Sequence, residues 1–181
     1  MQFLPDEVML KIVGYLSLYS MCLLSSICRE YRNLCSGKEV WFPLFARKGL
    51  SKPETRFSFA SWLDVYQRSL MGKIGAKYVL TLYSKEYKPW LSLIRPVPLS
   101  ALHEAMWKDI LEPLKDELPK SREKRYLSLS KRNKEYLCTI EDDNHRVLSI
   151  LAVNKKTVYN ILYRLFYRGI CEVDKHVYQE F

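Results

Sequence analysis

The chain has 181 residues, 48% of them apolar and 27% charged, with a net charge of +9. That balance excludes a disordered tail, and the length suits one domain or a small module joined to a second one. No run approaches the ~18 apolar residues of a spanning helix, and the opening Met-Gln-Phe-Leu-Pro-Asp-Glu puts acid where a secretory signal has its basic flank, so a reducing compartment and no membrane are expected.

The first element is a helix. Leu4, Val8, Ile12 and Leu16 recur every four residues, and Met9 and Val13 widen the stripe. Pro5 belongs in the first turn, where its missing N–H costs nothing, and Asp6 and Glu7 set negative charge against the positive end of the helix dipole. A second helix follows Ser17 or Ser20 as cap and carries Met21, Leu24, Ile27 and Cys28. A third runs around Tyr31 and Leu34 to the Ser36-Gly37 break, after which Trp41, Phe42, Leu44 and Phe45 supply aromatic bulk.

Leu4-Pro5-Asp6-Glu7-Val8, Ile12, Tyr15-Leu16, Ile27-Cys28-Arg29-Glu30-Tyr31-Arg32-Asn33-Leu34, and Trp41 with Leu44 resemble the F-box in residue type and spacing. Tyr31 stands where that family most often has tryptophan, and Pro43 interrupts the usual run after Trp41. The resemblance covers residues 1–49, about a quarter of the chain. It implies a three-helix module that holds the adaptor subunit of an SCF-type cullin-RING ubiquitin ligase, and through it the cullin scaffold, in a eukaryotic cell or host, cytoplasmic or nuclear. The adaptor-binding residues it implies are Leu4, Pro5, Glu7, Val8, Ile12, Leu16 and Trp41. Size points the same way: a module this short without metal or disulfide buries too little to stand alone, so its apolar surplus is expected to meet another chain or the following domain.

Residues 50–75 read as a linker and docking helix. Ser51-Lys52-Pro53-Glu54 is turn chemistry, Phe57, Phe59, Trp62, Leu63, Tyr66 and Leu70 follow with helical spacing, and Gly72 and Gly75 offer a hinge.

Residues 76–181 read as an α+β target-binding domain of order β-β-α-β-β-β-α. Tyr78–Tyr83 and Trp90–Ile94 form the expected first hairpin, and Leu99–Leu118 a helix capped by Ser100. Tyr126–Leu129, Tyr136–Ile140 and Val147–Val153 form a meander. Asn154 then caps a helix from Lys155 to Arg168 closed by Gly169, and Cys171–Phe181 supplies a last strand.

Function classes separate on what is missing. No phosphate-binding glycine loop, nucleophile elbow or metalloprotease helix is present, so no enzyme is expected. No metal or cofactor is expected either. Cys22, Cys28, Cys35, Cys138 and Cys171 include no Cys-x-x-Cys and lie far from His103, His145 and His176, and the first three, six and seven apart, read as small buried hydrophobes. Glu141, Asp142, Asp143 and His145 fit a solvated hairpin tip.

Charge is uneven: residues 120–168 carry twelve basic and five acidic side chains, a net +7. Lys155, Lys156, Tyr159 and Arg164 are the candidates there for contact with an acidic partner. Val147–Leu162 also resembles a helix-turn-helix that would present Lys155, Lys156, Thr157 and Asn160 to DNA, although Leu148 and Ala152 depart from that pattern. Pairing of Val147–Val153 with Tyr136–Ile140 would exclude it. By resemblance the first reading is an F-box substrate receptor with a protein target and no leucine-rich, WD40 or kelch period to name it. The alternatives are a nucleic-acid-binding protein, or a structural or inhibitory protein that occupies the adaptor without delivering a target.

Overall fold

A computed structural model describes residues 5–50, 58–84, 90–101 and 124–171. The chain divides into two compact units, Met1–Leu70 and Met71–Phe181. The first is helical and the second carries an antiparallel sheet, an α+β architecture.

Unit 1 holds α1 (Asp6–Tyr15), α2 (Leu18–Ile27), α3 (Arg29–Cys35), α4 (Lys38–Arg47) and residues 59–70 of α5 (Phe59–Ser84). Pro5 takes the cap position of α1, its carbonyl accepting the N–H groups of Val8 and Met9 at 2.9 and 3.1 Å. Of the two candidate caps for α2, Ser17 serves: its Oγ accepts the Ser20 N–H at 3.0 Å. A fourth helix joins the three expected ones, because Pro43 does not interrupt α4. Pro43 removes one donor from α4, and both it and Glu39, four residues earlier, are exposed.

The core of unit 1 gathers Val13, Met21, Cys35, Val40, Trp41, Leu44 and Phe45 around Trp62, Val65 and Tyr66 of α5. Trp41 and Trp62 stack with ring centroids 5.8 Å apart and planes 8° from parallel. Both indole N–H groups close the end of α3, Trp41 donating to the Cys35 carbonyl and Trp62 to the Ser36 carbonyl, each at 2.8 Å. Carbonyls at a helix end lack intrahelical donors, and a buried tryptophan needs an acceptor; each shortage answers the other. The segment expected to be a docking helix thus completes this core, while Phe57 lies outside the described residues.

In unit 2, β1 (Trp90–Ser92) and β2 (Val97–Pro98) pair with opposite ends of β3 (Arg125–Arg132), which pairs with β4 (Glu135–Asp142), which pairs with β5 (Val147–Val153), all antiparallel. The three expected meander strands are present. A short 3-10 turn, Leu99–Ala101, follows β2; the rest of the helix expected to Leu118, and all but the first residue of the strand expected over Cys171–Phe181, lie outside the described residues.

One expectation for this region fails. Tyr78–Tyr83 is helix, not strand, and β1 pairs with β3 instead. The buried positions here, Ala76, Val79 and Leu80, follow helical spacing, and a run of six residues is too short for periodicity to separate the two forms. Gly72 and Gly75 lie within α5 and are buried. A Cβ on Gly72 would stand 2.7 Å from the Tyr163 carbonyl oxygen, and one on Gly75 2.4 Å from the Phe166 ring. Both glycines let α5 approach the last helix, α6 (Lys155–Tyr167).

Asn154 caps α6, its Oδ1 accepting the Thr157 N–H at 2.9 Å. Gly169, at φ +68°, ends it: the Gly169 N–H reaches the Phe166 carbonyl and the Ile170 N–H the Leu165 carbonyl. Between these caps Val158, Ile161, Leu162, Leu165 and Phe166 pack on Leu127, Leu129, Cys138 and Ile140 of the sheet and on Ala76, Val79 and Leu80 of α5. No helix among the described residues is long and apolar enough to cross a membrane.

Candidate docking surfaces

Core formation in unit 1 leaves two apolar rows outside. On α1, Val8, Ile12 and Tyr15 share one face, opposite the buried Val13, and Tyr15 is 85% exposed. On α2, Tyr19, Leu23 and Ile27 stand four apart on the face away from Met21 and Ser25, and Tyr19 is 73% exposed. Free energy falls by about 25 cal/mol for each Å² of such surface removed from water, so six large apolar side chains left outside a small core describe a surface suited to another chain.

The structure sorts the residues expected to bind an adaptor. Val8 and Ile12 lie in the α1 row, with Pro5 and Glu7 exposed at its start; Leu4 lies outside the described residues. Leu16 leans into the unit's own core, half-buried. Trp41 is corrected outright: it is wholly enclosed, with Phe45, Phe59, Trp62 and Tyr66 as ring neighbours, and offers no surface. Sequence reading passed over Tyr19 and Leu23. Their spacing of four with Ile27 was the available signal, obscured because α2 is apolar almost all round.

In unit 2, Lys155 and Lys156 are exposed at the start of α6. Tyr159 is half-buried against the core, its ring 6.3 Å from that of Tyr163, and burial pushes its phenol above the usual range. Arg164 lies nine residues beyond Lys155, which at 3.6 residues per turn puts it on the opposite side of the helix. The four candidate contacts therefore do not form one patch.

The helix-turn-helix reading is overturned. Val147–Val153 is a strand in register with β4, Tyr136 opposite Val153 and Thr139 opposite Ile150, and the face of α6 carrying Val158, Ile161 and Leu162 is core.

The acidic turn is a hairpin tip. The Asp142 carboxylate accepts the N–H groups of Asn144 and Arg146, each at 2.9 Å, and these bonds, the Arg146 one foremost, hold its carboxyl below the usual range. Among the described residues no group of His, Cys, Asp and Glu could hold a metal ion. Burial pushes the Cys138 thiol up to about 12 and the Cys171 thiol up to about 11, so neither is a thiolate at neutral pH.

Residues 1–47 match a protein-family model described as F-box-like. No curated protein matches the sequence. The N-terminal module is F-box-like, in a chain that continues into a sheet-bearing unit.

Proposed function

We propose that the chain is a substrate receptor of an SCF-type cullin-RING ubiquitin ligase. In this reading the rows on α1 and α2 seat the adaptor subunit and unit 2 holds the target protein. The observation that carries it is the apolar surface that an F-box-like module keeps once its core is complete: Val8, Ile12, Tyr15, Tyr19, Leu23 and Ile27. Pro5 and Glu7 are exposed at the start of the same helix.

The receptor catalyses nothing itself. It brings a target lysine near a ubiquitin-loaded conjugating enzyme, so that an encounter between separate molecules becomes one within a single assembly. Apolar rows at helix spacing suit such a role, because hot spots of an interface cluster where large side chains are fully desolvated.

Adaptor affinity measured by calorimetry tests the reading. Ile12→Ala and Tyr19→Ala should each cost about 2 kcal/mol if the side chain is a hot spot, a loss of about thirtyfold in Kd. Both side chains are exposed in the unbound chain, so the variants should melt as the parent does. A folded double variant that binds the adaptor as tightly as the parent overturns the proposal.

A further inference from the structure

We infer that unit 2 takes an extended polypeptide segment along the outer edge of β5, apolar at alternate positions and acidic at the end that meets Arg132, Lys134, Lys155 and Lys156. The inference deepens the receptor reading and rests on it for what the captured segment would be, namely part of a target.

Three observations meet at this edge. First, among the described residues β5 is the last strand of the sheet, with β4 on one side only. A strand edge presents backbone donors and acceptors to any extended chain that lies beside it. Second, this edge lacks the usual protection. Natural edges carry charge, proline or a bulge along their length, whereas Val147–Val153 has no charged residue and no proline, and its irregularity falls at the Ile140/Glu141 end of the β4 pairing. Alternation turns Ser149 and Leu151 toward the helices and leaves Leu148 and Ile150 on the far face, 44% and 52% exposed. A segment paired with β5 would set every second side chain beside them.

Third, four exposed cations stand at one end of the sheet. Register puts the β3–β4 turn next to the end of β5: Arg132 is opposite Glu135, and Tyr136 is opposite Val153. Arg132, Lys134, Lys155 and Lys156 are all exposed there, against the single acid Glu135 among the described residues. At the other end Lys124, Arg125 and Arg146 are matched by Glu141, Asp142 and Asp143, with Lys124 Nζ 3.9 Å from Asp143 Oδ2. The edge is therefore apolar along its length, positive where β5 ends and balanced where it begins.

Charge selects the occupant. Antiparallel pairing of β5 with β5 of a second copy, centred on Ile150, would set Arg146 opposite Asn154 and beside Lys155 at both ends, cation against cation. Nucleic acid would meet the cations but gain little from Leu148 and Ile150, which offer no ring on which a base can stack. The tyrosines nearby, Tyr159, Tyr163 and Tyr167, are half-buried and pack ring to ring, Tyr163 stacked on Tyr167 and tilted against Tyr159. An acidic, apolar polypeptide satisfies the backbone edge, the aliphatic pair and the cations together.

The test is selection of a displayed library of random ten-residue peptides on the full chain, followed by affinity measurement of the recovered peptides. Expected are sequences apolar at alternate positions with acids at one end. Their affinity should fall at least tenfold in a Leu148→Thr/Ile150→Thr variant, which keeps strand-forming residues, and comparably in Lys155→Gln/Lys156→Gln, which leaves the Asn154 cap and the apolar pair untouched. Peptides without acids, or peptides that bind both variants as they bind the parent, overturn the inference. A random duplex that displaces the peptides more effectively than unlabelled peptide does also overturns it, in favour of nucleic acid. Adaptor affinity, read in parallel, keeps the two proposals distinct. Intact adaptor binding with β5-independent peptides removes this inference alone; β5-dependent peptides without adaptor binding remove the receptor reading alone.

Discussion

Replacing Trp62 with alanine asks whether the N-terminal unit ends with α4 or needs α5. The side chain is wholly buried, stacks on Trp41, meets the edges of Phe42 and Phe45 and donates to the Ser36 carbonyl. A tryptophan hides about 150–250 Å², worth about 4–6 kcal/mol at 25 cal/mol per Å². That is an upper figure, since unfolded chains already hide part of it, and Trp→Ala replacements in cores cost about 3–5 kcal/mol. The Ser36 carbonyl, left without its donor, adds about 1 kcal/mol. Against the 5–15 kcal/mol that is the usual total for a domain, the variant should lose a large fraction of its stability. Urea unfolding followed by circular dichroism measures this, with Trp62→Phe as control: it keeps a ring on Trp41, loses the N–H donor and should cost about 1–3 kcal/mol. A loss below about 1 kcal/mol for Trp62→Ala, the range of ordinary surface changes, would refute α5 as part of this core.

Gly75→Ala should destabilise by about 1–3 kcal/mol, because its Cβ would fall 2.4 Å from the Phe166 ring, whereas Gly14→Ala in α1, with nothing within 4 Å, should gain up to about 1 kcal/mol from helix propensity; thermal melts of the two variants check both signs. The Cys138 thiol, raised from 9.0 to about 12 by burial, ionises more readily in the unfolded chain. Its contribution is therefore complete below pH ~9 and lost as pH rises toward 12. Urea midpoints at pH 8 and pH 10 should fall less in Cys138→Ala than in the parent.

What could be read in the sequence was whatever local chemistry decides. Ser17, Asn154 and Gly169 announce helix ends because capping depends on one side chain or one backbone angle. The β3–β4–β5 meander was legible because Leu127, Leu129, Cys138 and Ile140 alternate with polar neighbours and the intervening turns are strongly polar. Tyr78–Tyr83 was misread because β-branched and aromatic residues there satisfy a strand pattern, while the helix is decided by Gly72 and Gly75 meeting Tyr163 and Phe166, about ninety residues away in sequence. The same limit explains Trp41. Nothing within residues 1–49 says that Trp62 will cover its ring.

That misplacement bears on how an apolar surplus should be counted. Judged on residues 1–49 alone, every large side chain beyond a three-helix core is a candidate for a partner. Residues 59–70 divide that set by geometry. Trp41, Leu44 and Phe45 lie on α4 and are taken up by Trp62, Val65 and Tyr66. Val8, Ile12, Tyr15, Tyr19, Leu23 and Ile27 lie on faces of α1 and α2 turned from that core and remain exposed. The residues matched by the family, 1–47, and the compact unit, Met1–Leu70, are therefore different objects. A core residue such as Trp41 and an interface residue such as Ile12 respond differently when truncated: the first lowers stability and with it every property of the unit, the second lowers one affinity and leaves the melt in place. Stability and affinity measured on the same variants would separate them, and the sequence motif, which contains both, cannot.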